Sequence, residues 1–191
     1  MTQFDAQAYG PAFAPLLAID RRRPLDAGSP NDATRANLES LSIEQAFAHE
    51  KLVDGDMAAC CLSAVWLLHD FLDASHHLSQ EIATPSGSFW HGIMHRREGD
   101  LANAKYWFRR VGQHPVLEAL GQRAAELAAT RGEERAATKL ISGGVWEPFE
   151  FVDLCESAVR GHTNTEDLCR DIQQTEWELL FDHCYRAAVG Q

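Results

Sequence analysis

Hydrophobic residues recur along most of the chain at spacings of three and four, which is the period of an amphipathic helix. No stretch shows the sustained alternation of hydrophobic and polar positions that is typical of a strand. Alanine and leucine far outnumber valine and isoleucine, and they lose less side-chain entropy in a helix. The pattern therefore predicts an all-α fold, a single-domain irregular helical bundle of about seven to nine helices.

Prolines, glycines and capping residues divide this pattern into elements. Residues 1–19 predict one or two short helices, residues 20–33 an extended surface segment, and the capping box Ser42–Gln45 a short helix to about Glu50. The longer predicted helices cover residues 56–82, 88–98, 101–111, 115–130, 133–141, 148–159 and 165–188. We expect the three helices over 56–111 to form the centre of the molecule.

The predicted helices form one domain with two parts. Residues 34–141 supply the core helices, and residues 145–191 supply a C-terminal helical pair that packs on them. Gly143 and Gly144 separate the two parts, and adjacent glycines favour a flexible joint. We therefore expect any hinge to lie at this pair.

Composition and charge exclude several classes of protein. The 191 residues are 45% hydrophobic and carry a formal net charge of −11, which opposes binding to nucleic acid and to anionic membranes. No apolar run is long enough to span a bilayer, and the N-terminal basic cluster follows the apolar stretch, unlike in a secretory signal. The five cysteines contain no CxxC pair, which indicates reduced core residues. We expect a cytoplasmic protein without nucleic-acid or membrane partners, and the sequence leaves a homo-oligomer open.

Histidines and carboxylates line two neighbouring predicted helices. One polar stripe of the helix over 56–82, at i, i+4, i+7 and i+11, holds His69, Asp73, His76 and Gln80. One face of the helix over 88–98 holds His91, His95 and Glu98. The short connection predicts antiparallel packing, with His76 and His95 each roughly 10 Å from the turn and so level with each other.

Two histidines at i and i+4 can reach one metal ion. One hypothesis is therefore a divalent first-row metal (zinc, iron, manganese or nickel) whose ligands are His76, His91 and His95, with Asp73 or Glu98 as the carboxylate. A metal-free polar pocket that uses some of these residues is a second hypothesis. Histidines that are exposed, or that carboxylates satisfy by hydrogen bonds, are a third.

A basic segment stands out in this acidic chain. Residues 91–110 contain five basic residues and only two acidic ones. The candidate anion-binding residues are Arg96, Arg97, Lys105, Arg109 and Arg110, with Trp107 among them. The alternative is internal ion pairing with acidic neighbours. Arg97 falls on the apolar face of its predicted helix, so it needs a buried partner or a path to solvent.

These features support two hypotheses on function. The first is a protein with a polar pocket, lined by histidine and arginine, that binds a small anionic molecule. If it is an enzyme, His76 or His95 is the acid or base, Glu98 or Asp73 orients a histidine, and metal-assisted hydrolysis is the sharper version. The second is a helical adaptor that presents Trp90, Tyr106 or Trp107 to a protein partner without catalysis.

Two resemblances accompany this pattern. Gly92, Gly99, Ala104 and Phe108 resemble the small, turn, small and aromatic positions of a single tetratricopeptide unit, which implies a helical hairpin over residues 92–115. No second copy follows at a period near 34 residues. The stretch HRREGDLANAKYWFRRVG resembles an uncharacterised family of small microbial all-helical proteins. That likeness implies a helical fold and no particular activity.

Overall fold

The computed structural model describes residues 4–142 and 144–191. This part of the chain is 71% helical, so the predicted all-α class is confirmed, and its eleven α-helices slightly exceed the predicted seven to nine. The helices are α1 (Gly10–Leu17), α2 (Arg35–Ser40), α3 (Ile43–Ala46), α4 (Gly55–Leu68), α5 (Leu72–Ser79), α6 (Pro85–Glu98), α7 (Leu101–Val111), α8 (Pro115–Arg131), α9 (Glu134–Leu140), α10 (Pro148–Val159) and α11 (Glu166–Val189). Short 3-10 helices cover Ala6–Tyr9 and Asp32–Thr34.

The predicted continuous helix over residues 56–82 is wrong. Its first half is α4 and its second half is α5, and the chain turns at residues 69–71 between them. The Ser63 hydroxyl donates to the Ser75 carbonyl at 3.0 Å, although a straight helix would hold these residues roughly 18 Å apart. Helix α5 therefore folds back along α4, and His69 does not share one helical stripe with Asp73 and His76.

Asp70 causes this turn. Its φ of +63° lies in the left-handed region, which asparagine and aspartate tolerate better than other side chains. The buried Asp70 carboxylate accepts hydrogen bonds from Arg97, at 2.7 Å, and from Arg23. Those two ion pairs stabilise the turn. The left-handed conformation of Asp70 therefore persists, although the turn contains no glycine or proline.

The later helices closely follow the predicted bounds. Asp100 caps α7 through the Asn103 amide, and α7 covers the predicted residues 101–111. Helix α6 begins three residues earlier than predicted, because Thr84 accepts the Gly87 amide as an N-cap and Pro85 occupies the first helical position. The Ser42 capping box is confirmed, but α3 ends at Ala46.

The predicted glycine joint is part of a small hairpin. Strand β1 (Ile141–Ser142) pairs antiparallel with β2 (Val145–Trp146), and Ile141 lies opposite Trp146. Gly144 has a φ of +83°, which suits a glycine in a tight turn, whereas Gly143 lies outside the described residues. The buried Trp146 side chain anchors β2 beside α8.

Helix α6 lies at the centre of the molecule. Twelve of its fourteen residues, from Ser86 to Arg97, are buried, and it contacts α4, α5 and α7. Buried hydrophobic residues from Tyr9 near the N-terminus to Ala188 near the C-terminus join one core cluster. All five cysteines are buried and free of disulfides. Among the described helices, none has both the length and the apolar character that crossing a membrane requires.

Residues 20–31 form an extended surface segment, here called the strap, which ends two residues earlier than predicted because a 3-10 helix begins at Asp32. Its three consecutive arginines pair with acidic residues of other elements: Arg21 with Glu178, Arg22 with Asp167 and Asp171, and Arg23 with Asp70. The side chain of Leu25, which belongs to the strap, is buried. The strap is therefore attached to the helices through ion pairs, through the buried Leu25 and through hydrogen bonds to its carbonyls, such as that from Gln173 to Pro24.

Candidate metal centre

Three histidines from two consecutive helices meet at one point. His76 comes from α5, whereas His91 and His95 come from α6, and one ring nitrogen of each lies within 4.8 Å of the other two. The ring centroid of His76 lies 4.7 Å from that of His91 and 5.1 Å from that of His95. The predicted convergence of these three residues is therefore present in the structure.

The two histidines of α6 face each other through their Nε2 atoms. These atoms lie 2.9 Å apart, as expected for residues at i and i+4 with both rings turned to the same side. Two imidazoles on one tetrahedral zinc ion, with Zn–N bonds of about 2.0–2.1 Å, hold their nitrogens roughly 3.3 Å apart. The pair therefore needs little movement to share an ion.

Glu98 orients His95 from the side away from the other histidines. The Nδ1 atom of His95 lies 2.6 Å from the Glu98 carboxylate, whose side chain is 34% exposed. Because a carboxylate only accepts hydrogen bonds, His95 carries its hydrogen on Nδ1 and directs the Nε2 lone pair toward His91. A carboxylate behind a histidine is the usual outer support of a metal ligand.

Burial favours the neutral form of two histidines of this cluster, His91 and His76. His91 is 1% exposed, and burial together with the His95 and His76 rings lowers its pKa to about 3. Burial and the nearby His95 also lower the pKa of the half-buried His76. Neutral imidazole is the form that binds metal ions, so a lowered pKa keeps a ligand available at mildly acidic pH. Among the described residues, none forms a hydrogen bond with the buried Nδ1 atom of His91.

Aromatic side chains of α7 cover one side of the cluster. The Trp107 ring stacks on the His91 ring, with centroids 3.9 Å apart and planes 17° from parallel. The Arg110 guanidinium lies 5.3 Å from the centre of the Trp107 ring. This stacking fixes the orientation of His91 and restricts access of water from α7.

Two residues of the predicted histidine stripe lie elsewhere. Asp73 is exposed and lines a separate cleft beside Phe71 and Arg35, outside the group of mutually close ligand atoms. His69 is fully buried, and its Nε2 atom bonds to the Leu16 carbonyl at 2.9 Å. The turn at Asp70 separates His69 from the predicted stripe, whereas Asp73 stays in α5 with His76 but lies in the first turn of that helix.

Most basic residues of α6 and α7 form internal ion pairs. Arg96 is buried against the fully buried Glu176, and Arg97 against Asp70. Lys105 pairs with Asp153. For these three cations, the structure matches the internal ion-pairing alternative, and the expected buried partner of Arg97 is Asp70.

Arg109 and Arg110 lie on the exposed face of α7. The guanidinium of Arg109 approaches the Phe149 ring, and that of Arg110 approaches Tyr106 and Trp107. These two residues are therefore the exposed part of the predicted basic segment. Arg110 is linked to the histidine cluster through the Trp107 ring.

A cleft of about 380 Å³ opens next to the cluster, and Glu98 belongs to both. Leu25, Leu101 and Val159 give the cleft an apolar lining, and the C-terminal end of α6 forms one wall. The residue that supports His95 therefore also lines a space large enough for a small molecule.

A second histidine pair was not singled out from the sequence. His114 precedes α8, and its ring centroid lies 4.8 Å from that of His183 in α11. The Nδ1 atom of His114 accepts the Val116 amide, so Nε2 carries the hydrogen and donates to Ser86 at 3.0 Å. In this tautomer His114 cannot take a proton from Ser86, and its contacts cap α8. Only its place before Pro115 could have indicated that capping role.

The aromatic residues of the adaptor hypothesis differ in exposure. Trp90 is fully buried against Trp177, Trp107 is half-buried against His91, and Tyr106 is 48% exposed. Aromatic anchors at an interface need accessible surface before the partner binds. Of these three side chains, only Tyr106 offers a large accessible surface.

No protein-family model, curated protein or solved structure significantly matches this chain. The resemblances to a tetratricopeptide unit and to a microbial family therefore stay predictions. The case for a function depends on the geometry of the site.

Proposed function

We propose that this protein binds one divalent transition-metal ion through His76, His91 and His95. The observation that carries the proposal is the meeting of the three imidazoles, with Glu98 behind His95. Imidazole ligands suit zinc, copper, iron and nickel better than magnesium or calcium, which prefer oxygen. Zinc, iron and nickel, of the metals considered above, fit this ligand set best.

The unpartnered Nδ1 atom of His91 supports the same assignment. In the metal-free tautomer, His91 donates from Nε2 to His95, which leaves Nδ1 as a buried acceptor without a donor. When Nε2 binds a metal ion, the hydrogen moves to Nδ1. The Ser79 carbonyl, which favours the protonated ring, is the acceptor that we assign to it. Metal binding therefore relieves an unsatisfied buried atom.

Three protein ligands leave a coordination position open. At such a position an ion lowers the pKa of water or polarises an oxygen atom of a substrate, which is the chemistry of metal-assisted hydrolysis. The ion itself supplies the positive charge that a small anionic ligand needs, so the paired Arg96 and Arg97 are not required for it. Arg110 is the exposed cation linked most closely to the site.

The roles of the predicted catalytic residues follow from this assignment. His76 and His95 are metal ligands rather than the acid or base. Glu98 is a positioning residue for His95, and it also lines the adjoining cleft. The adaptor hypothesis gains no support beyond the exposure of Tyr106.

Elemental analysis of untagged protein, purified without chelator, tests this function. We expect near-stoichiometric metal in the wild type and its loss in His91→Ala. His77→Ala is the matched control, because His77 is the exposed neighbour of His76 and its ring bonds only to the Asp73 carbonyl. Metal-free wild type that also takes up no added zinc, iron or nickel would refute the proposal. So would equal metal in the wild type and in His91→Ala.

A further inference from the structure

The turn between α4 and α5 places an acidic side chain against the helix that carries two of the histidines. Asp70 is the one non-glycine residue of the described chain with a positive φ, and its side chain is fully buried. Such a conformation costs free energy and persists only where the surroundings hold it. The contacts of Asp70 therefore indicate which structural role the turn has.

Arg97 joins this turn to α6. It donates to the Asp70 carboxylate at 2.7 Å and to the Leu67 carbonyl, in the last turn of α4, at 3.0 Å. Arg97 follows His95 by two residues in the same helix. One buried guanidinium thus connects the end of α4 and the start of the turn to the helix of His91 and His95.

The same turn sets the direction of α5. This helix begins two residues after Asp70 and has only eight residues, so His76 lies little more than one helical turn from the start of α5. The Ser63–Ser75 hydrogen bonds then fix which face of α5 lies on α4. The direction of the chain after Asp70 and the face of α5 that Ser75 holds against α4 together determine where the His76 ring lies.

We infer that the Asp70–Arg97 ion pair is a positioning device that holds His76 opposite His91 and His95. This inference rests on the proposed metal site, whose third ligand it places. Neither residue touches the three imidazoles, so any effect on metal binding is transmitted through the orientation of α5.

The chain offers a matched control in Arg23. It is the second cationic partner of Asp70, but it belongs to the strap and is 26% exposed, whereas Arg97 is 2% exposed and belongs to α6. Removing Arg23 takes one charge from the same carboxylate and leaves the connection from the turn to α6 intact. The two arginines therefore separate positioning from general support of Asp70.

The test measures metal binding in Asp70→Asn, Arg97→Lys and Arg23→Gln. Asparagine tolerates the left-handed conformation and lysine keeps the charge, so both conservative variants are expected to fold. Cobalt(II) titration gives the affinity, and the visible absorption bands report the coordination number. We expect at least a tenfold loss of affinity and weaker bands in the first two variants. Arg23→Gln should bind within about twofold of the wild type. Wild-type cobalt binding in Asp70→Asn and Arg97→Lys would overturn the inference, as would an equal loss in Arg23→Gln.

A second measurement needs no metal. In the metal-free protein, nuclear Overhauser contacts should connect the ring protons of His76 and His91, whose centroids are 4.7 Å apart. We expect these contacts to disappear in Asp70→Asn and Arg97→Lys and to remain in Arg23→Gln. If the wild type binds no cobalt, the proposed function fails, and the ring contacts still decide the positioning role. Their persistence in Asp70→Asn and Arg97→Lys would overturn it.

Discussion

Several buried histidines in this protein are held by specific partners. His69 bonds to the Leu16 carbonyl, His95 to Glu98, and His114 to Ser86 and the Val116 amide. Burial lowers the pKa of His69 and of His114, and at His69 it disfavours the charged ring more than the Leu16 carbonyl favours it. Several histidines therefore remain unprotonated at a pH where the unfolded chain takes up protons.

His114 gives the clearest consequence for stability. Burial, with a contribution from His183, lowers its pKa to about 4, against about 6.5 in the unfolded chain. Between these values the unfolded state binds more protons than the folded state, so stability rises with pH and is lost as the pH falls. Through this residue, lowering the pH from 7 to 5 should reduce the free energy of unfolding by on the order of 2 kcal/mol.

The variant His114→Asn tests this linkage. Asparagine retains an N-cap acceptor for α8 and does not titrate. Urea unfolding at pH 7 and pH 5 should show a smaller loss of stability in the variant than in the wild type. An unchanged difference between the two pH values would contradict the role of His114.

The spacing of residues in the sequence predicted the chemical role of single residues better than it predicted which other residues they contact. His91 and His95 meet because i and i+4 positions share a helical face, which is a local property. The approach of His76 to α6 followed from the short connection at residues 80–84. The structure contains this connection, although the predicted helix before it is divided into α4 and α5. Asp73 precedes His76 by only three residues in α5, but it lies in the first turn of that helix and lines the cleft beside Phe71.

Capping residues made the later helices predictable as elements. Asp100, Pro115 and Pro148 mark where α7, α8 and α10 begin, since each satisfies or removes an unpaired amide of a first turn. The turn at residues 69–71 carries no glycine or proline, so local propensity cannot reveal it. It depends on Arg23 and Arg97, which are distant in the sequence.

The start of α6 packs closely against Ile82, in the segment that precedes it. A Cβ atom at Gly87 would lie 2.3 Å from the Ile82 carbonyl oxygen, so the backbone must shift to admit any side chain. We expect Gly87→Ala to destabilise the protein by about 2 kcal/mol and to lower Tm by roughly 4–8 °C.

Gly121→Ala is the matched control for this prediction. The position is also helical, in α8, but the nearest atom to an added Cβ would be the Trp146 backbone nitrogen at 3.7 Å. Alanine should be neutral or stabilising there, by up to about 1 kcal/mol, because it restricts the unfolded chain. Thermal unfolding that ranks Gly121→Ala as the more damaging substitution would contradict the packing described for α6.

At the scale of the whole molecule, buried ion pairs connect parts of the chain that are distant in sequence. Arg96 of α6 donates to both carboxylate oxygens of Glu176 in α11, and Gln173 of α11 donates to the Pro24 carbonyl of the strap. The central helix, the C-terminal helix and the strap thus share one polar network. No local pattern could predict this network, because its members lie up to 152 positions apart, from Pro24 to Glu176.

Removing one partner of the Arg96–Glu176 pair should be costly. Arg96→Met leaves a carboxylate buried without its cation, and we expect a loss of about 3–5 kcal/mol in the free energy of unfolding. Adding Glu176→Leu to this variant removes the unpaired charge and should recover most of the loss. Urea unfolding of both variants checks the prediction, and a double variant no more stable than Arg96→Met would contradict it.

The central claim is that three imidazoles from α5 and α6 hold one metal ion. X-ray absorption fine structure, measured at the zinc edge on protein loaded with one equivalent of zinc, tests it most directly. The account predicts three imidazole nitrogens at about 2.0 Å from the ion, with a lighter ligand completing the shell. A shell that contains sulfur at about 2.3 Å, or that lacks imidazole scattering, would contradict it.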